Sequence, residues 1–325
     1  MSHRADVLHA LREAAGAGVS GEVLARKLGI SRAAVAKHVA VYREIGYGIE
    51  AHAGSGYRLV SDPDLPLPEE VGPLVTDPFW VEMHGGLQTV STNDDAKGLA
   101  RSGAPEGTVV VAARQTGGRG RLGRAWESPT GGVYLSAVLR PDRAPSALGP
   151  LPLVVGVGVA RGLNSLGCRA LLKWPNDVWS GVPGEPLAGK LAGILLEMQA
   201  ESDTTEWVVA GIGINVRPGA ERFASAGYVG DLAHGVRCAR VAAAVLEGIA
   251  GAYREFTAEG FAPLLAEYEG SSALSGRLVT VADREGIVRV TGRVAGVDEE
   301  GRLVLDSDSG RAAVTAGDVT LSVPR

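Results

Sequence analysis

Residues 114–129 read RQTGGRGRLGRAWESP, with four glycines and four arginines inside eleven positions and Trp126 just beyond. Gly118, Gly120 and Gly123 spell G-x-G-x-x-G, and what flanks them restricts the fold. A dinucleotide fingerprint needs a helix opening at the third glycine, because the pyrophosphate rests on that helix's N-terminus. Here Pro129, Gly131 and Gly132 follow, then the apolar run VYLSAVL, so the unit is strand–loop–strand and a Rossmann fold is excluded. A protein kinase also sets its glycine loop between strands, but the chain holds neither H-R-D nor D-F-G. Gly184 to Lys190 meet the phosphate-loop spacing until Leu191 stands where a hydroxyl must bind magnesium; that match reads as chance and leaves Lys190 a candidate in its own right.

What remains is a loop whose positive charge comes from side chains. Arg119, Arg121 and Arg124 can surround an anion, while Gly118 and Gly120 let main-chain N–H groups come close. Such a cluster suits bringing a carboxylate against the α-phosphate of ATP. Two anions about 4 Å apart repel by roughly 1 kcal/mol per charge pair in water and severalfold more in a dry site, so the protein must supply cations. Acyl-adenylate formation is that task.

At 325 residues and 45% hydrophobic content the chain has material for two or three cores. The five prolines Pro63, Pro66, Pro68, Pro73 and Pro78 argue against a helix and for an extended connector over 63–78. Residues 1–62 precede it, 79–270 alternate apolar runs with turn signals, and 271–325 change to short β runs. TVVVAARQ, GGVYLSAVLRP, AGILLEMQ and EWVVAGIGINV read as strands; LPLVVGVGVARGLNSLG and RVAAAVLEGIAGAYREF read as helices. The expected class is α/β (α+β) and multidomain: a central mixed sheet with helices and a small C-terminal β-barrel-like module. Net charge is −5, yet residues 1–60 hold eight Lys/Arg against five Asp/Glu, so +3 sits there and −8 in the rest. No signal-peptide core and no run of about 18 apolar residues is present, which makes cytoplasm the expectation and membrane no partner. Cys168 and Cys238 read as buried, reduced thiols.

VSGEVLARKLGISRAAVAKHVAVYREIGY reads as two helices joined at LGIS, Gly29 ending the first and Ser31 capping the second. That is a helix-turn-helix, and YGIEAHAGSGYRL behind it is a hairpin wing. Ser31, Arg32, Ala34, Lys37, His38 and Arg43 form the second helix's outer face, small at the front and cationic along the side, as DNA binding requires. The segment resembles the winged helix-turn-helix domains of bacterial regulators.

STND (Ser91 to Asp94), GRGRLGRAWESP (Gly118 to Pro129), KWPNDV (Lys173 to Val178), GKLAGILLE (Gly189 to Glu197) and GIGINV (Gly211 to Val216) occur in this order. With them the chain resembles the biotin protein ligases in their two-function form, ligase and biotin operon repressor, over nearly its whole length. The resemblance implies biotin contacts at Ser91, Thr92, Asn93, Gln115, Gly118, Arg119, Gly120, Arg121, Lys190 and Gly193. It implies ATP contacts at Arg119, Arg121, Trp126, Lys173, Asn176, Asp177, Lys190 and Asn215. Lys190 and Arg121 take the catalytic roles, Arg119 joins Arg121 as a phosphate clamp, and Trp126 and Trp174 are pocket wall and packing rather than chemistry. No fixed metal site is implied: Mg2+ comes on ATP, with Asp177 its candidate protein ligand. The implied partners are a lysine of a biotin carboxyl carrier protein, an operator of biotin genes and a second copy of the chain. It also implies an SH3-like C-terminal barrel. Leu122 and the prolines of WSGVPGEPLAG depart from the family pattern.

The residues alone leave alternatives open. Ser91 to Asn93 fit a helix cap, Lys173 and Asp177 a surface pair, and Gln115 a structural strand residue. A lipoate-type ligase, or a ligand-sensing transcription factor without catalysis, competes with the whole reading.

Overall fold

The computed structural model describes residues 3–52, 54–283 and 285–321, and the chain parts into two compact units between Leu65 and Pro66. In the first unit α1 (His3–Glu13), α2 (Gly21–Leu28) and α3 (Arg32–Glu44) precede an antiparallel hairpin of β1 (Gly48–His52) and β2 (Gly56–Ser61). Gly29 ends α2 at φ +67, a left-handed conformation that costs a glycine nothing, and Ser31 caps α3 by accepting the Ala34 N–H at 3.1 Å. Leu24, Val35, Val39 and Tyr42 are buried, so three short helices share one small core. Arg32 and Lys37 lie exposed on α3 as expected. Arg43 is exposed as well, and its Nε donates to Ile49 O at 2.6 Å, which ties α3 to the wing. The wing's Arg58 is paired with Glu50 at 2.6 Å. Ser31→Ala should cost about 1 kcal/mol of stability in this unit, read as a lower urea midpoint of its α-helical signal.

The proline-rich stretch is not wholly extended. Pro68 opens a four-residue helix, α4 (Pro68–Val71), because a proline at the first helical position lacks only an N–H that would be unpaired anyway. Leu67 and Val71 are buried, so this segment packs rather than spans.

The second unit is built on a seven-stranded mixed sheet. Its strands are β3 (Glu82–Gly86), β4 (Thr108–Ala112), β5 (Gly132–Leu139), β6 (Ala170–Lys173), β7 (Asp177–Ser180), β8 (Gly189–Glu201) and β9 (Thr204–Asn215), in the order β3-β4-β5-β9-β8-β7-β6. Only β3 and β4 run parallel. The central strands are apolar on both faces because helices cover both. Val110, Val138 and Val209 meet Ala96 and Ala100 of α5 (Thr92–Arg101) on one face. Val109, Val111, Leu135 and Ile212 share the other core with α6 (Leu151–Ser165), α8 (Cys238–Glu259) and α9 (Ala262–Gly270), which follow or flank the short α7 (Val229–Leu232).

Helix α6 buries eleven of its fifteen residues, which explains its apolar length: it lies between sheet and α8. The two helices meet through glycines. A Cβ on Gly162 would stand 2.4 Å from Ala244 O, and one on Gly248 2.1 Å from Gly158 O. Gly162→Val should therefore force the helices apart and lower stability by about 1–3 kcal/mol or more, seen as a lower denaturant midpoint.

β10 (Leu278–Ala282), β11 (Val288–Val297), β12 (Leu303–Ser307), β13 (Gly310–Val314) and β14 (Asp318–Leu321) form a second, antiparallel sheet, ordered β13-β12-β11-β10-β14. The C-terminal module is thus a five-stranded sheet whose Val279, Val294 and Leu305 join the core of the central unit. Cys168 and Cys238 are buried, as expected, and burial pushes the Cys238 thiol up to about 11.

Candidate active site

A cavity of about 470 Å³ lies over the interior strands β8 and β9 of the mixed sheet, lined there by Gly193 to Leu195 and Gly211 to Gly213. Ser91, Thr92, Asn93 and Gln115 give its lining a neutral, polar group. Ser91 stands at the N-cap position of α5, yet among the described residues its side chain makes no capping hydrogen bond; it lines the cavity instead, which removes the capping alternative. Gln115 accepts the Thr92 N–H at 2.8 Å and donates to Ser128 Oγ at 3.0 Å. The Ser136 hydroxyl donates to Asn93 Oδ1 at 2.6 Å, and Asn93 Nδ2 donates to Glu197 at 2.7 Å. Asn93 is therefore held rigidly against Gly211, where a Cβ would meet its Oδ1 at 2.0 Å.

The floor is made of glycines. Gly193 and Gly213 are cross-strand partners, and the Trp126 indole lies on both: a Cβ on Gly213 would stand 2.4 Å from Nε1. Trp126 Nε1 is buried with no hydrogen-bond partner among the described residues. Lys190 Nζ sits 5.1 Å from that ring's centre and 2.7 Å from Asp177 Oδ1. Lys190 is fixed by its backbone too, donating to Ser225 O at 2.8 Å and accepting from Asn215 Nδ2 at 2.9 Å. Lys173 does not pair with Asp177 in a surface bridge; it lies 5.2 Å over Trp179, and burial pushes its ammonium down.

The glycine loop folds back over the opening as a small hairpin, with Trp126 N bonded to Gly118 O at 3.0 Å and Gly120 N to Arg124 O at 2.8 Å. A Cβ on Gly118 would strike Trp126 O at 2.5 Å, so only glycine allows this closure. Each arginine of the flap is held by the protein. Arg119 makes a forked pair with Asp94, Arg121 donates to Asn176 Oδ1 at 3.1 Å, and Arg124 pairs with Asp318 of β14. Burial is the main influence on Arg121 and lowers its pKa from the usual range.

The full length of the chain has relatives that decide the family. It is 33% identical to the bifunctional ligase/repressor BirA of Bacillus spizizenii over 98% of both chains. This chain belongs to the bifunctional biotin ligase/repressor family. The E. coli K12 bifunctional ligase/repressor BirA is 32% identical over 93% of this chain and 92% of its own. The helix-turn-helix family matches residues 3–58, the biotin/lipoate A/B protein ligase family 85–215, and the biotin protein ligase C-terminal domain 274–322. Among solved structures, the Aquifex aeolicus biotin protein ligase in complex with biotin and ATP superposes with TM-score 0.62 at 28% identity, covering 74% of this chain and 99% of that one.

Within this ligase/repressor the cavity gathers Ser91, Thr92, Asn93, Gln115, Arg119, Gly120, Arg121, Trp126, Lys173, Asn176, Asp177, Lys190 and Gly193. Gly118 and Asn215 lie behind the wall and support it. Trp174 is buried and donates to Gly301 O, a packing role, though its edge reaches the cavity. Sequence reasoning missed Ser136, Glu197 as a partner, and Asp318, Val319 and Thr320, which bring the C-terminal sheet to the cavity wall. Glu197 closes the GKLAGILLE motif and was visible there; Asp318 carried no local signal.

Proposed function

We propose that this chain condenses biotin with ATP to biotinyl-5′-AMP, transfers biotin to a lysine of a carrier domain, and represses biotin genes as a dimer on a palindromic site. The observation that carries the reading is one cavity that gathers the neutral hydrogen-bonding groups of Ser91, Thr92, Asn93 and Gln115 together with the cations Arg119, Arg121, Lys173 and Lys190. A ureido ring needs donors and acceptors without charge; a carboxylate meeting a phosphate needs cations. Ser91, Thr92 and Gln115 face the ring, with Asn93 fixing the wall. Gly193 and Gly213 leave room beneath Trp126 for flat groups, and Asn176 and Asp177 face the nucleotide.

In the first step a carboxylate oxygen of biotin attacks the α-phosphorus and pyrophosphate leaves. Lys190 gives up Asp177 for the oxygens of carboxylate and phosphate, and Arg121 offsets the charge that builds there. In the second step the neutral lysine amine attacks the anhydride carbonyl, AMP leaves, and the amine's proton passes to solvent. The flap keeps water from the anhydride between the two steps. Two carboxylates line the cavity, Asp177 against Lys190 and Asp318 against Arg124, and among the described residues no group of three or more His, Cys, Asp or Glu could hold a metal ion. Such a donor set fits an Mg2+ ligated mainly by triphosphate and water, with Asp177 as its protein ligand and charge neutralisation as its contribution.

Ser31, Arg32, Ala34, Lys37 and His38 face the operator, Ser31 by ordering the helix that carries the others. Incubation with ATP, biotin and a carrier domain, followed by a gel shift on DNA upstream of biotin genes, tests both halves. Biotin, not lipoate, should stimulate ATP–pyrophosphate exchange; stimulation by lipoate alone would move the chain to the other branch of its ligase family.

A further inference from the structure

The flap arginine Arg119 is not waiting for an anion; it already holds two charge-assisted bonds. Its Nη1 lies 2.8 Å from Asp94 Oδ2 and its Nη2 2.5 Å from Asp94 Oδ1, with Glu197 Oε2 4.0 Å away. Lys97 Nζ completes the group, 3.0 Å from Asp94 Oδ1 and 2.6 Å from Glu197 Oε1. Two cations and two carboxylates thus alternate in one network, joining three elements: the flap, the first turns of α5 and the middle of β8. Asn93 is the fifth member, through its 2.7 Å bond to Glu197. An isolated exposed pair adds little, but a forked geometry inside a network is the case where ion pairs contribute. Asp94 also sits in the first turn of α5, where the helix dipole favours a carboxylate.

We propose that Asp94, Lys97 and Glu197 are positioning residues that fasten the flap through Arg119, so that this arginine is a tie setting how long biotin stays and Arg121 alone clamps phosphate. The inference rests on the ligase reading above. Three features support it. Both oxygens of Asp94 are engaged by Arg119, so Arg119 can reach a phosphate only by abandoning its fork. The same network fixes Asn93 at the ring end, so loosening it loosens the biotin pocket and not the nucleotide side. And Arg121, which lies on the other wall against Asn176 beside Asp177, is bonded there by a single neutral contact that a phosphate can replace. The hydrogen bond from Arg119 holds the Asp94 carboxyl down at about 2. The tie is thus fully present above the usual carboxylate pKa, about 4, and weakens only as pH falls toward 2, outside any working range.

The test is the near-isosteric Asp94→Asn in the full chain, with Glu197→Gln as a second variant. Unmodified protein must first show biotin-dependent ATP–pyrophosphate exchange; if it does not, the ligase reading fails and the tie is not the cause. Radiolabelled biotin is then bound and chased with unlabelled biotin. Asp94→Asn should release biotin about tenfold faster and raise KM for biotin by a similar factor, with kcat at saturating biotin little changed. Trypsin should cut faster within the flap of the variant. The charge swap Asp94→Arg with Arg119→Asp should bring release back toward the unmodified rate. Slower release of biotin or of the adenylate from Asp94→Asn would show Arg119 to be a phosphate clamp set free from a competitor, and that result, or an unchanged rate, overturns the proposal.

Discussion

Lys190→Ala should lose adenylate formation, with the pyrophosphate burst falling by roughly 100- to 1,000-fold, the usual cost of deleting one preorganised charge-stabilising donor. Two effects add here. The ammonium that offsets charge between biotin carboxylate and α-phosphate disappears. Asp177, 2.7 Å from that ammonium, is left as an uncompensated carboxylate facing the incoming triphosphate. The fold should survive, because what fixes residue 190 is its backbone, bonded to Ser225, Gly227 and the Asn215 side chain. Far-ultraviolet circular dichroism and the urea midpoint of the variant check that. A double variant, Lys190→Ala with Asp177→Asn, separates the two effects: recovery of part of the burst would measure the repulsion from Asp177 alone. An undiminished burst in Lys190→Ala would remove the lysine from the chemistry.

Much of this arrangement is written locally in the chain. Four strands of the mixed sheet, β4, β5, β8 and β9, announce themselves as apolar runs bounded by glycine or proline, whereas β3, β6 and β7, four or five residues each, are too short to show a pattern; the turn between α2 and α3 is spelled by Gly29 and Ser31, whose backbone and side-chain chemistry act within three residues. The short α4 was hidden because proline argues against helix everywhere except at the first position, where Pro68 stands. What local reading could not give is pairing across distance. Arg119 and Asp94 are 25 residues apart, and Arg124 and Asp318 are 194 apart. An arginine cluster looks like an empty anion site until the fold supplies its carboxylates. For the same reason the C-terminal strand β14 reads as a separate β module, although it closes one wall of the cavity. The glycines of GILLE and GIGINV are legible only as strand breaks; that Gly193 and Gly213 are a floor for Trp126 follows from register, since the two are cross-strand partners.

Arg121→Gly should let the adenylate escape. A hydrogen bond from a charged donor to a charged group is worth about 1.5–3 kcal/mol, so loss of this one clamp corresponds to roughly 10- to 150-fold faster release. Unlike Lys190, Arg121 belongs to a flap, and its substitution also frees the backbone around Leu122, which already sits at φ +58 between Gly120 and Gly123. The flap should then close less often as well as hold less tightly. Adenylate formed from biotin and ATP would appear in solution and react with bystander lysines, whereas the unmodified protein keeps it for the carrier domain. The measurement is filtration of free biotinyl-5′-AMP after a single turnover, together with biotin incorporation into an unrelated protein. A glycine variant that retained the intermediate as firmly as the parent would mean that Lys190 and Lys173 hold the phosphate unaided and that the cationic flap serves only to exclude water.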